Sequence, residues 1–172
     1  MKVILLMAMT ADGITAKNSF EFVNWTESDD KKLFVDVTKN SGVVIMGRNT
    51  FKTIGKPLKN RKNIVYSRTQ KGDFPDDDLY YTDMDPELLL KKLKRGNFKE
   101  VILIGGSEIN TIFAKNNLID ELMLTVSPVF FGQGLTMFTE KLDLDLKLIE
   151  FNKVGNNSIF IRYEIKKSGS KE

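Results

Sequence analysis

Residues 42–68, GVVIMGRNTFKTIGKPLKNRKNIVYSR, decide the fold of this chain. The run Val43-Val44-Ile45-Met46 is apolar without alternation, which reads as a strand of a parallel sheet buried on both faces. Gly47-Arg48 then turns the chain into a short amphipathic helix whose apolar side is Phe51 and Ile54. Gly55 and Pro57 stop that helix, because glycine favours a left-handed cap and proline cannot continue the ladder. A second apolar strand follows at 63–67, making one right-handed β-α-β crossover. Gly47-Arg48 marks its first strand-to-helix junction and Ser67-Arg68 the end of its second strand. Free backbone N–H groups and a helix dipole at such a junction suit a phosphate, and a nearby arginine adds charge-assisted bonds.

The same grammar extends in both directions. Val3 to Met9, VILLMAM, reads as a central strand, broken by Ala11-Asp12-Gly13. The polar loop from Ile14 to Asn24 is long for a compact domain and reads either as a lid or as a surface excursion pinned by Phe20 and Phe22. Thr26-Glu27-Ser28-Asp29 has the spacing of a capping box, predicting a helix to about Lys39 with Leu33, Phe34 and Val37 inward. Asp30 lies one turn before Phe34 and shares its face, whereas Asp29 is placed as a cap partner. A carboxylate facing apolar surroundings is costly unless it has a use. A strand at Leu79 to Thr82 precedes a helix capped by Asp85, opened by Pro86 and closed by Gly96. Glu100 to Ile104 reads as another strand, and Gly105-Gly106-Ser107 leads it into a helix ending at Lys115. Two glycines there allow close backbone approach, with Ser107 as cap and anion contact. A second phosphate-competent turn in one small α/β domain points to a dinucleotide. Leu122 to Val126 forms a further strand, and 147–154 with 159–165 form an antiparallel hairpin.

Composition narrows the chemistry. A chain of 172 residues with 41% hydrophobic content is one domain, read as residues 1–166 with a frayed tail at 167–172. It contains no cysteine and no histidine, so a disulfide framework, a thiolate nucleophile and the usual zinc and copper ligands are all missing, and no metal is expected. Proton transfer falls to a carboxylate, Lys, Tyr or water. The net charge of +3, from 26 interspersed basic and 23 acidic residues, is a solvated surface and not a nucleic-acid footprint. No apolar run reaches the ~20 residues that span a bilayer. The expectation is a cytoplasmic protein, monomeric or homodimeric, binding a small molecule.

The assembled pieces Gly47-Arg48-Asn49-Thr50-Phe51, Ile54-Gly55-Lys56-Pro57-Leu58, Arg61-Lys62-Asn63 and Ser67-Arg68 resemble the dihydrofolate reductase family, in that order. The resemblance runs from Val3 to about Ile165. It implies an α/β fold with a mixed, mostly parallel central sheet, flanking helices and a C-terminal antiparallel hairpin, binding NADPH. It further implies that Asp30 is the acid, with Trp25 five residues before it and Thr125 bonded to it. Phe34, Leu6, Ala8 and Ile104 would meet the pterin, Ile54 and Leu58 the aminobenzoyl slot, and Arg61 the substrate carboxylate. Arg48, Asn49, Thr50, Ser67 and Arg68 would face the 2′-phosphate side of the cofactor. Ala8, Thr15, Gly47, Gly105, Gly106, Ser107, Glu108 and Ile109 would face its pyrophosphate and nicotinamide, where the family has a cis Gly-Gly bond.

Departures accompany the match. Asn24 and Ser28 stand where the family often has proline, and Asn110 where it often has an aromatic. The segments Thr10 to Gly13, Leu118 to Leu122 and Pro128 to Phe138 look more like the related riboflavin-pathway reductase domain, which shares the fold and NADPH but reduces a ribosyl-phosphate pyrimidine. The expected activity is reduction of 7,8-dihydrofolate to tetrahydrofolate, with hydride transfer to pterin carbon 6 and protonation at N5. The alternatives are the pyrimidine reductase, a reductase of another pterin, or a nucleotide-binding module without turnover.

Overall fold

Alternation along the first strand sets the two faces of the sheet. In β1 (Lys2–Thr10), Val3 and Leu5 enter one buried cluster while Ile4 and Leu6 enter another. β2 (Val43–Gly47) divides the same way, with Val43 and Ile45 on the first side and Val44 and Met46 on the second. Side chains of successive strand residues point to opposite faces, so a strand covered by helices on both sides must be apolar throughout. The computed structural model describes residues 1–20, 23–70 and 78–167.

The remaining elements are α1 (Ser28–Ser41), α2 (Arg48–Ile54), β3 (Lys62–Tyr66), β4 (Leu79–Thr82), α3 (Pro86–Arg95), β5 (Glu100–Leu103), α4 (Ser107–Lys115), β6 (Glu121–Ser127), β7 (Leu146–Val154) and β8 (Ser158–Ile165). The strands form one sheet in the order β4-β3-β2-β5-β1-β6-β8-β7. The pairs from β4 to β6 are parallel, and β8 runs antiparallel to both β6 and β7. The mixed, mostly parallel sheet with a terminal hairpin is therefore the architecture of this chain. Leu89 and Leu93 of α3 and Phe113 of α4 pack on the first face. Leu33, Phe34 and Val37 of α1, with Phe51 and Ile54 of α2, pack on the second.

Local details differ from the sequence reading. α1 has no capping box: Glu27 is its N-cap residue and makes no side-chain cap bond, while Asp29 pairs with Lys32 at 2.8 Å. A carboxylate three residues from a lysine on an exposed helix face finds a partner there without the backbone. α1 also runs past Lys39 to Ser41, and Gly42 closes it in the left-handed conformation, with its N–H donated to the Thr38 carbonyl. Phe20 does not pin the loop after β1, being 74% exposed. Phe22, the polar segment at 71–77 and most of the expected tail lie outside the described residues. Among the described residues no helix is long and apolar enough to cross a membrane.

Candidate active site

The second face of the sheet gathers the residues expected to meet a substrate ring. Leu6 and Ile104 belong to its buried cluster, and Phe34, Ile54 and Leu58 pack against it. Ala8 sits beside Thr125 in the β1–β6 register. Asp30 is half-buried, one turn before Phe34 on α1. Thr125 is 1% exposed, and its Oγ1 has no hydrogen-bond partner in the protein; the Trp25 indole Nε1 is likewise buried and unpaired. A buried polar atom without a partner is costly, so both atoms are suited to bonding a bound molecule or water.

Arg61 is 6% exposed. It donates from Nη1 to Thr38 Oγ1 at 2.6 Å and from Nε to the Lys59 carbonyl at 3.0 Å. Thr38 Oγ1 in turn donates to the Phe34 carbonyl at 2.6 Å. Burial pushes the Arg61 guanidinium below its usual range, although an arginine stays charged. The Arg61 loop is held by Asn63, which the sequence reading placed only as a motif and strand residue. Asn63 Nδ2 donates to the carbonyls of Leu58, Arg61 and Asp78, and Oδ1 accepts from Leu58 N–H.

On the cofactor side the two strand-to-helix turns meet. Gly47 N–H donates to the Gly105 carbonyl at 2.8 Å, and the Gly105–Gly106 bond is cis, as the family resemblance implies. A Cβ on Gly105 would lie 3.3 Å from Met7 Sδ, and one on Gly106 would lie 3.4 Å from Thr50 Oγ1. A Cβ on Gly47 would press on Ile109 at 3.1 Å. A side chain at any of the three would press on the protein's own atoms, so the glycines let the two turns pack against each other. Arg48 reaches across the crossover and donates to Thr69 Oγ1 at 2.8 Å, beside Ser67, whose Oγ accepts from Thr69 and Gln70 N–H. Arg68, Asn49 and Glu108 are exposed nearby in the chain.

Two expected cofactor residues do other work. Ser107 is not the cap of α4; Gly106 holds that position, and the Ser107 hydroxyl donates to the Thr136 carbonyl at 2.5 Å. The N1 hydroxyl finds this acceptor because residues 136–139 fold back over the helix start. Thr15 Oγ1 donates to the Leu135 carbonyl at 3.0 Å. The segment 128–139 thus joins the site, although the sequence offered only a family-level likeness there. Within it Phe131 stands edge-on to Trp25, with centroids 5.5 Å apart and planes at 84°.

Asp12 is a further site-adjacent residue that sequence reasoning took for a strand break. It accepts from Thr10 Oγ1, Phe131 N–H and Gly132 N–H. The Thr10 hydroxyl first, then the Gly132 N–H, hold its carboxyl below the usual carboxylate range. Its backbone partners Phe131 and Gly132 lie 119 and 120 positions away, so no local signal points to them. Among the described residues no cluster of acids offers a metal site.

Comparison with known proteins gives the chain a family and its fold a set of relatives. The family described as RibD C-terminal domain matches residues 1–160. The dihydrofolate reductase of Ureaplasma parvum is 30% identical over 164 residues, covering 95% of this chain and 97% of that one. Acinetobacter baumannii RibD superposes with a TM-score of 0.81 at 21% identity, covering 96% of this chain and 58% of that one. A pyrimidine reductase-like protein from Corynebacterium diphtheriae gives 0.79 at 13% identity, covering 97% and 92%. The structural likenesses carry the fold, and the sequence matches carry the kinship. This chain belongs to the RibD C-terminal domain family, within the reductase superfamily that it shares with dihydrofolate reductase.

Proposed function

We propose that this chain is an NADPH-dependent reductase of a small nitrogen heterocycle, and that the substrate is the ribosyl-phosphate pyrimidine of the riboflavin pathway. The family match over residues 1–160 carries this reading. When bound, NADPH supplies the hydride. Gly47, Gly105, Gly106 and Ile109 would hold its pyrophosphate and nicotinamide, and Arg48, Thr50, Ser67 and Arg68 its 2′-phosphate.

The chain's own residues would orient the ring and manage the proton. Phe34, Leu6 and Ile104 offer the apolar walls, while Asp30 and Thr125 offer an acceptor and a hydroxyl for the amino and ring N–H groups of a pyrimidine edge. Fixing that edge decides which face meets the nicotinamide, and such positioning is the protein's main contribution to hydride transfer. The second reading is dihydrofolate. It is supported by Phe34, Ile54 and Leu58, which pack on the second face of the sheet, with Asp30 one turn before Phe34 on α1.

The deciding experiment follows NADPH absorbance with the pyrimidine ribosyl phosphate beside dihydrofolate. Turnover of the pyrimidine alone supports the first reading, and turnover of dihydrofolate alone replaces it with the second. Tight NADPH binding with neither activity would leave the non-catalytic module.

A further inference from the structure

Two carboxylates bracket the segment that carries Trp25, and each grips two consecutive backbone N–H groups of a distant loop. At one end Asp12 Oδ2 accepts from Phe131 N–H at 3.2 Å and Gly132 N–H at 2.7 Å. At the other, Glu27 accepts from Asn156 N–H at 2.8 Å and Asn157 N–H at 3.1 Å, in the β7–β8 turn. Charge-assisted bonds from successive amides are among the stronger surface contacts. Asp12 also accepts from the nearby Thr10 hydroxyl, whereas the Glu27 side chain makes no cap bond to its own helix. Glu27 occupies the N-cap of α1, yet its side chain leaves the helix uncapped and reaches the hairpin instead.

What the two grips hold is the site. Phe131, fixed by Asp12, is the wall against which Trp25 stands, and Lys17 Nζ lies 4.6 Å from the centre of the same ring. Ala16 and Thr15 bond Leu135 of the same segment. Glu27 immediately precedes the first residue of α1, the helix that carries Asp30 and Phe34. The hairpin turn is shaped for it: Gly155 has φ +60°, and a Cβ there would overlap the Glu27 carboxylate. A third link runs from the loop to the cofactor helix. Ser107 donates to Thr136 O, Asn110 Nδ2 to Met137 O at 3.0 Å, and Thr139 N–H to Thr111 Oγ1 at 2.9 Å.

We propose that Asp12 and Glu27 are positioning residues that hold Trp25 and the start of α1 in place, and that the segment 131–139 ties this placement to the first turns of α4. The proposal rests on the reading of Trp25 and Asp30 as site residues. Its alternative is that both acids merely staple loops to the surface. Trp25 is the only tryptophan in the chain, so its fluorescence reports on this one place.

The test uses the full chain with Asp12→Ala and Glu27→Ala, and Asp12→Asn and Glu27→Gln as near-isosteric variants should alanine prevent folding. Amide exchange and acrylamide quenching of Trp25 are measured without substrate. Losing charge-assisted bonds should speed exchange at the Phe131 and Gly132 amides by roughly tenfold to a hundredfold in Asp12→Ala. The same should occur at Asn156 and Asn157 in Glu27→Ala, while β1 amides keep their protection. In both variants Trp25 should become more quenchable, and in Asp12→Ala its response to added NADPH should shrink although calorimetric NADPH binding persists. Faster exchange with wild-type quenching of Trp25 would reduce both acids to loop staples. Unchanged exchange at the four amides would remove the grips themselves. Neither measurement needs turnover, so a wrong substrate would fail in the absorbance assay and leave these results standing.

Discussion

Replacing Asn63 tests how the loop carrying Leu58 and Arg61 is built. Its side chain is 1% exposed, with Nδ2 donating to Leu58 O at 3.0 Å, Arg61 O at 2.8 Å and Asp78 O at 3.0 Å. Oδ1 accepts from Leu58 N–H at 2.8 Å. An amide has two N–H donors, so three carbonyls share two protons, and the group amounts to about three full bonds. At ~1 kcal/mol net for each bond, Asn63→Ala should cost ~3 kcal/mol. For a chain of this size that corresponds to a fall in Tm of about 6–12 °C. Asn63→Asp separates hydrogen bonding from packing. It keeps the size and the acceptor for Leu58 N–H, but turns a second oxygen toward the three carbonyls. It should cost at least as much as alanine. Urea unfolding with linear extrapolation reads both values. Because Leu58 and Arg61 ride on this anchor, any KM for dihydrofolate should rise in Asn63→Ala while NADPH affinity holds. An Asn63→Ala cost below ~1 kcal/mol, or an aspartate variant milder than alanine, would refute this account of the loop.

Other substitutions probe the remaining parts. The double variant Arg48→Ala with Arg68→Ala should erase a preference for NADPH over NADH, with charged bonds worth ~1.5–3 kcal/mol each as a guide, and titrating both cofactors reads it. Asp30→Asn should keep the fold and NADPH affinity and lose most turnover at neutral pH, whereas Asp29→Asn, which removes only an exposed pair with Lys32, should change stability by ~0.5 kcal/mol or less. Comparing pH–rate profiles and melting curves of the two variants checks the assignment. Asp12 has a folded pKa below its ordinary 3.8, so its contribution to stability is present above 3.8 and is lost as pH falls through the lower value. The stability gap between wild type and Asp12→Asn, from urea midpoints across pH, should therefore stay level down to about pH 4 and close only below it.

Much of the fold was legible because its signals are local. The unbroken apolar runs at 43–46 and 101–104 had to be buried on both faces, and Pro86 and Gly96 punctuated α3 as expected. The spacing that puts Asp30 and Phe34 on one face needed only the helical period. Where a local rule had two ways to be satisfied, reading failed. Thr26-Glu27-Ser28-Asp29 has the form of a capping box, but Asp29 meets Lys32 and Glu27 meets the β7–β8 turn. Ser107 had the form of a cap, but its hydroxyl donates to the carbonyl at position 136.

What the sequence by itself determined was the order of strands and helices, the two glycine-bearing turns, and a shortlist of site residues on the strand ends and helix starts that face them. The tertiary structure alone decided which of those side chains are already engaged within the protein, as Arg61 is with Thr38 and Ser107 with Thr136. It alone brought Asp12 to Phe131 and Glu27 to Asn156. Secondary structure follows from steric and hydrophobic periodicities that a few neighbouring residues express. A hydrogen bond between residues 120 positions apart depends on sheet register and loop path, which the whole chain sets together.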